Sequence, residues 1–517
     1  MMLRRTLNIG CIAAASLMLV SCASTPSASP SADEVVAGGI AVVALSDEPD
    51  TLDPTVANTF VARVVFTAFC EKLYDSNDSL ELVPQLAASL PVTSADGLTV
   101  DIALREGILF NDGTPFNADA VKITLDRNLT LDTSSRKKEL AALQSVEVVD
   151  ENNIRLTLSR PFSPLGAQLA DRAGAIMSPT ALETLGLDFG TDPVCVGPFD
   201  FTDRVPGSEI NFTKSDYYYD KDLVKLDGVT YKFITDPNIR AANLRSSDIN
   251  VAERLNASDV DQLDADGVDV LDVSAIGYQG LTINTDPTMS SSPLASSVEL
   301  RKAFELSIDR DALNTVVFAG QTTPDCVPLP KQMAFRPDDI QCTDFDSDAA
   351  RALVGASGET LPIPVELLIP ARPTDQKTAE VIQQMANDVG FDVTIKPVEF
   401  VSALDLGRAG DFDMFLIGWS GRMDPDGDMN DLLTTGGTNN YSQMADSEVD
   451  FLISEAASVT ETDARQDLYG QALDRIDEIK PLIYLYHDTW FLGLADITGV
   501  EYSADAIPRF KTAELTK

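Results

Sequence analysis

From Leu98 to Phe110 the chain reads LTVDIALREGILF, alternating apolar and polar residues as paired strand segments do. It then runs into the turn formers Asn111-Asp112-Gly113-Thr114-Pro115. There the period changes. Asn117 stands where a helix N-cap is expected, Asp119 falls in the first turn, and Ala120, Val121, Thr124 and Leu125 recur along one face. A second helix is predicted from the capping-box pattern Ser296-x-x-Glu299. Leu300, Ala303, Phe304 and Ile308 follow at three- and four-residue spacing as a core-facing stripe. Further on, FDMFLIGW (Phe412–Trp419) reads as a buried strand ending at Gly418, and PLIYLYHDTWFLGL (Pro481–Leu494) as another strand-like run. Strand and helix patterns mixed in this way predict an α/β protein. In parallel-sheet α/β architectures ligands gather where loops leave the carboxyl ends of strands, so SGRMDPDG (Ser420–Gly427) is a candidate cleft segment.

The amino terminus changes the setting. Arg4 and Arg5 precede a twelve-residue apolar stretch, Ile9–Val20, too short to cross a bilayer but right for a signal peptide. Leu19-Val20-Ser21-Cys22 matches a lipobox, so cleavage before Cys22 would expose a cysteine for acylation; Arg-Arg also hints at twin-arginine export, though the rest of that motif is poor. Residues 1–21 are thus expected to be a lipoprotein signal and 22–38 a Ser/Pro/Ala-rich tether that cannot bury a core. As flexible coil that tether would reach about 20–25 Å. The expected location is the extracytoplasmic face of the cell membrane, at the cell surface or in the periplasm. The remaining chain suggests two to four lobes at roughly 100–200 residues each. A net charge of −43 repels nucleic acid and anionic lipid, and no basic cluster offsets it, so a nucleic-acid partner is excluded.

Cysteine usage fits export. With Cys11 lost and Cys22 acylated, Cys70, Cys195, Cys326 and Cys342 remain, and four cysteines allow three pairings. Cys326 and Cys342 bracket Pro328, Pro330 and Pro337, and closing that loop is the simplest bridge; Cys70–Cys195 is then left by elimination. Four unpaired buried thiols are the alternative.

The chemical inventory is short. After the signal the chain has one histidine, His487, inside an apolar run, which rules out a zinc or nickel site of several imidazoles. G-x-S-x-G, a Walker A loop and G-x-G-x-x-G are all absent. Asp424, Asp426 and Asp428 occupy positions 1, 3 and 5 of an EF-hand register, but Met429 replaces the turn glycine and Thr435 the bidentate glutamate, so no calcium loop is expected. No catalytic residue, metal or cofactor is assigned.

Six segments, taken together and in order, carry a resemblance: EPDTLDP (Glu48–Pro54), LREGILFNDGTPFNADAV (Leu104–Val121), VGPF (Val196–Phe199), LDGVTYKFI (Leu226–Ile234), GLTINT (Gly280–Thr285) and LRKAFELSIDRDAL (Leu300–Leu313). They resemble the extracytoplasmic solute-binding proteins of family 5, the dipeptide-, oligopeptide- and nickel-binding receptors of bacterial ABC importers, over nearly all of residues 40–510. The resemblance implies an α/β, periplasmic-binding-protein-like (type II) fold of three lobes. Lobe I would comprise 39–80, 190–282 and 488–517, lobe II 81–189, and lobe III 283–487, with a hinged ligand cleft between lobes I and III. Cys70 and Cys195 would then share lobe I, which favours their pairing. The implied function is a monomeric receptor that captures a peptide or related small organic solute and delivers it to a permease driven by a separate ATPase.

In peptide receptors of this family the GW segment enters the cleft, and a carboxylate shortly after it grips the peptide's α-amino group. Gly418, Trp419 and Ser420 match; Arg422 stands where that carboxylate is expected. A guanidinium suits an acidic ligand group rather than an ammonium, unless Arg422 pairs internally with a carboxylate such as Asp424. Asp424 and Asp426 could restore amine binding with a small register shift. Tyr278 and Gln279, near the expected crossing into lobe III, and Thr55 and Asn58, after TLDP, complete the expected contacts. The alternative function is a secreted hydrolase of peptides or glycans working through paired carboxylates; a surface adhesin or chaperone is a weaker third.

Overall fold

The run Ile40–Leu45 has no regular polar break because the strand it forms is enclosed: it pairs in parallel with Gly228–Phe233 on one side and Val251–Ala252 on the other. These strands lie at the centre of a seven-stranded mixed sheet. Its order is Asp269–Ser274, Thr489–Leu494, Val251–Ala252, Ile40–Leu45, Gly228–Phe233, Glu209–Lys214, Phe199–Val205. The computed structural model in which these pairings are seen describes residues 35–77 and 79–517. The signal segment and Cys22 lie outside the described residues. The last part of the expected tether does not: Val35–Val36 pairs antiparallel with Glu514–Thr516, whose edge gives these residues backbone partners.

A second, six-stranded sheet runs Thr323–Pro324, Leu482–His487, Tyr278–Ile283, Met414–Trp419, Ile363–Pro370, Phe391–Val398. It carries its own core, built around Leu281, Phe304, Leu367, Met414 and Ile483. A third, four-stranded antiparallel sheet holds Thr99–Ala103 from the alternating segment, with helix Ala118–Thr130 packed beside it. Asn117 caps that helix by accepting from Ala120 N, and Ala120, Val121, Thr124 and Leu125 are all buried. The second helix, Val298–Leu306, is capped one residue later than the pattern predicts. Ser297 accepts from Leu300 N, because Ser296 closes the preceding short helix Pro293–Ser296.

Two neighbouring chain segments cross between the two sheets, in opposite directions. One runs from Asp269–Ser274 through 275–277 into Tyr278–Ile283, and the other from Leu482–His487 through Asp488 into Thr489–Leu494. They are stitched together: Ala275 N donates to Asp488 O (2.8 Å), and His487 Nδ1 lies 2.6 Å from Gly277 O. The single strand-like run around His487 is therefore two strands in two sheets. The expected lobe limit at 282 falls within a strand of the second sheet, because GLTINT takes its pairing from Met414–Trp419 and Leu482–His487. The Sγ atoms of Cys70 and Cys195, and of Cys326 and Cys342, stand at bonding distance.

Candidate functional site

Four chain segments leave their strands at carboxyl ends that face one cleft between the two large sheets. Ser46 and Asp47 follow Ile40–Leu45, and Arg254 follows Val251–Ala252; Arg372 follows Ile363–Pro370, and Ser420 follows Met414–Trp419. Parallel strands concentrate ligand contacts at such ends. Phe60, Asn58 and Trp490 complete the first wall, and Asp375, Phe400 and Tyr441 the second. The cavity between the walls has a volume of about 80 Å³. A second cavity of about 450 Å³ lies beside it and shares Ser46, Arg254, Gln279, Arg372, Asp375 and Trp490 with it.

The charges here are arranged across the gap. Arg372 on the second wall grips both carboxylate oxygens of Asp47 on the first (3.2 and 2.7 Å), and its guanidinium lies 4.1 Å from the Phe400 ring centre. Asp375 sits 3.5 Å from Arg372; burial pushes its carboxyl up to about 6, against the pull of Arg372. Asp488 accepts from Gln279 Nε2 (3.2 Å) and is likewise raised by burial. Glu253 accepts from the backbone and hydroxyl of Ser46, both at 2.7 Å. Arg254 stacks on Trp490, 4.2 Å from its ring centre.

A larger cavity, about 650 Å³, lies elsewhere, beside Glu71, Asp75, Arg509 and Lys511. Several of its charged groups already have partners: Arg509 pairs with Asp75 (3.1 Å), Lys511 with Asp220 (2.5 Å), and Glu71 accepts from the hydroxyls of Tyr218 and Tyr219. The cleft between the sheets is the better candidate because residues from both sheets line it.

Of the residues expected at the site, Gly418, Trp419, Ser420, Gln279 and Asn58 line the cavity. Gly418 has to be glycine, since a Cβ there would run into the Tyr278 carbonyl oxygen. Trp419 donates from Nε1 to Gly427 O (3.0 Å), with one ring face covered by Arg422 at 4.4 Å. Ser420 Oγ accepts from Arg422 Nη1 (3.2 Å) and Arg63 Nη1 (3.5 Å). Asn58 donates to Val56 O and Ser135 Oγ, both 2.9 Å.

Five others turn away. Arg422 is buried with its Nε 2.7 Å from Asp171, whose other oxygen is 3.2 Å from Arg63 Nε. Burial favours the neutral acid at Asp171, but Arg63, Arg422 and Arg172 outweigh it and hold the carboxyl well below the usual range. Burial in turn lowers Arg422 to about 10, although Asp171 opposes this. The internal partner of Arg422 is thus Asp171 and not Asp424, which is clamped by Arg465 at 2.8 and 2.9 Å. Asp426 is buried against Gln168 Nε2 (3.1 Å), and burial raises it to about 7. Tyr278 packs edge-on to Tyr484 in a core cluster, on the strand face opposite Gln279. Thr55 is fully buried and donates to Asn128 Oδ1 (2.8 Å), in the seam with the four-stranded region.

Arg254, Arg372, Asp47, Asp375 and Trp490 were not picked out from the sequence. The rule that points to Gly418, a buried strand ending in polar residues, also applies to IAVVAL-Ser46-Asp47 and LLIP-Ala371-Arg372 and would have found two of them.

Residues 81–441, well over half of the chain, match the family model described as bacterial extracellular solute-binding proteins, family 5, middle. The chain belongs to this family. Its members are substrate-binding receptors of ABC importers, extracytoplasmic, and not enzymes. The receptor is 28% identical over 94% of its length to the glutathione-binding protein GsiB of Pectobacterium atrosepticum, of which 96% is covered. Among solved structures it resembles the periplasmic binding protein DppA of Helicobacter pylori in complex with the peptide STSA. There the TM-score is 0.85 at 23% identity, covering 93% of this chain and 99% of that one. It also resembles the binding protein AgaA of A. tumefaciens in complex with agropinic acid, with a TM-score of 0.81 at 27% identity, covering 92% and 96%. The fold is that of type II periplasmic binding proteins.

Proposed function

We propose that this receptor is anchored by an acylated Cys22 on the extracytoplasmic face of the membrane, acts as a monomer, and captures a peptide or related small organic solute by closing the two large sheets over it. The carrying observation is the cavity at the paired crossings, walled by Asn58, Arg254 and Trp490 from one side and by Arg372, Gly418 and Trp419 from the other. A solute that touches both walls stabilises the closed state by its differential contacts, and the two crossings are short enough to act as the hinge. Glutathione, the peptide STSA and agropinic acid, named with the related proteins, are small solutes of the class proposed.

The test uses the receptor's own fluorescence. Its two tryptophans, Trp419 and Trp490, both line the cavity. Ligand will therefore change their emission at one equivalent per chain, scattering will show compaction, and the solute will be recovered unchanged. Multiple turnovers of any peptide or glycan would replace this reading with the hydrolase one.

For the anchor, Cys22→Ala will move the protein from the membrane fraction to the medium without changing its melting temperature. No helix among the described residues is long and apolar enough to span a membrane. A Cys22→Ala protein that still sediments with membranes would refute the anchor.

A further inference from the structure

We propose that Arg254 is the anchoring site for a carboxylate of the transported solute. The inference rests on the cleft reading above and narrows it to acid-bearing ligands.

Arg254 follows directly on Val251–Ala252 and Glu253, with a φ of +49°, in the left-handed region that a non-glycine residue seldom adopts. Arg240 fixes that backbone: it donates to the carbonyls of Glu253 (2.9 Å) and Arg254 (2.6 Å). Backbone held this way by its surroundings is concentrated at functional sites. The side chain it positions lines both neighbouring cavities. Its guanidinium lies 4.2 Å from the Trp490 ring centre and 5.0 Å from that of Phe60, so aromatic faces hold the fork in place.

What sets Arg254 apart is the lack of an acceptor. Among the described residues no carboxylate comes within 4.0 Å of its guanidinium, and its Nε is buried without a hydrogen-bond partner. The cleft's other guanidinium, Arg372, is taken by both oxygens of Asp47. The nearby carboxylates are engaged as well: Glu253 with Ser46, Asp488 with Gln279, Asp375 with Arg372. Leaving that buried Nε–H without an acceptor is costly, and the planar fork of N–H groups on this half-buried side chain is completed best by a bidentate anion. Asp375 and Asp488 favour a single negative charge over the roughly twofold charge of a phosphate. The solute is therefore a peptide with a free carboxyl terminus or a non-peptide organic acid.

The full-length protein, solubilised in detergent, would be titrated by tryptophan fluorescence with five probe sets. These are di- to tetrapeptides with free carboxyl termini, the same peptides as carboxamides, glutathione, simple mono- and dicarboxylic acids, and neutral sugars with polyamines. Binding is expected only among the acids. Capping the recognised carboxylate, or Arg254→Gln, should each weaken it about 10- to 100-fold. Arg254→Lys should recover part of the loss, and Arg254→Gln should not weaken a capped ligand further. A peptide acid or a non-peptide acid as the tight binder distinguishes the two sources. Preference for a carboxamide, sugar or polyamine would overturn the proposal while leaving the receptor reading intact, as would parent-like binding by an Arg254→Gln protein of unchanged melting temperature. If that variant does not fold, acid against carboxamide in the parent decides alone. Silence from all five sets would bring down the receptor reading and this proposal with it.

Discussion

Replacing Cys70 and Cys195 together by alanine will lower the unfolding free energy by about 5 kcal/mol in the chain-entropy account of cross-links. The two residues are 125 apart in sequence, so the bridge removes a large loop-closure entropy from the unfolded chain. The native side agrees with a bridge. Cys70 caps the helix Phe60–Phe69, both cysteines are buried, and the surrounding backbone is already joined by Glu71 N to Val196 O (2.7 Å) and Asn111 N to Cys195 O (2.9 Å). The Cys326–Cys342 pair, 16 apart, should contribute less, about 3 kcal/mol. Denaturant titration of the two double-alanine proteins ranks the effects, and non-reducing peptide mapping checks the pairing. Four free thiols, a crossed pairing, or a Cys70/Cys195 variant as stable as its parent would each refute the argument.

Asp171→Ala will destabilise the protein by about 3–5 kcal/mol, the usual penalty for leaving a buried charge without its partner. In this case several guanidinium groups are stranded: Arg422 at 2.7 Å, Arg63 at 3.2 Å and Arg172 at 3.8 Å, all buried. Arg422→Ala should be costly for the same reason, so weakened ligand binding in that variant would report damage to the scaffold that carries Trp419 and Ser420. Joint replacement, Asp171→Leu with Arg422→Met, should recover part of the loss, because apolar side chains of similar volume often replace a buried ion pair without penalty. The pH dependence has a definite sign. Because the Asp171 carboxyl is held low in the folded state, its contribution is complete above the unfolded carboxylate value near 4. It is lost only as the pH falls from there toward the folded value. Denaturant midpoints from pH 3 to 8 test this: equal stability of Asp171→Ala and parent at neutral pH would show the arginines to be satisfied without it.

Much of the fold was legible because it depends on short-range pattern. The Asn117 cap and the buried face of Ala118–Thr130 follow from residues within a few turns of one another, and the strand ending at Gly418 from one apolar run. Gly418, Trp419 and Ser420 could be placed at the cleft for the same reason, since a strand end is a local event. Alternation along a strand is also local, but its phase is not. Gln279 reaches the cleft and Tyr278 the core only because of how that strand pairs within the second sheet.

By itself, then, the sequence determined most element types, the poverty of catalytic motifs and the family. Tertiary structure alone decided which charges meet. Arg422 reads in sequence as a ligand contact beside Asp424, yet Asp171 claims it and Arg465 claims Asp424. Arg254 carries no local signal and becomes distinctive only when Trp490 and Phe60 arrive at its guanidinium and every neighbouring carboxylate is already engaged. The physical reason is that backbone and hydrophobic periodicity are set by neighbours along the chain. Ion pairing and desolvation depend on distances of a few ångströms between groups that the chain brings together only on folding.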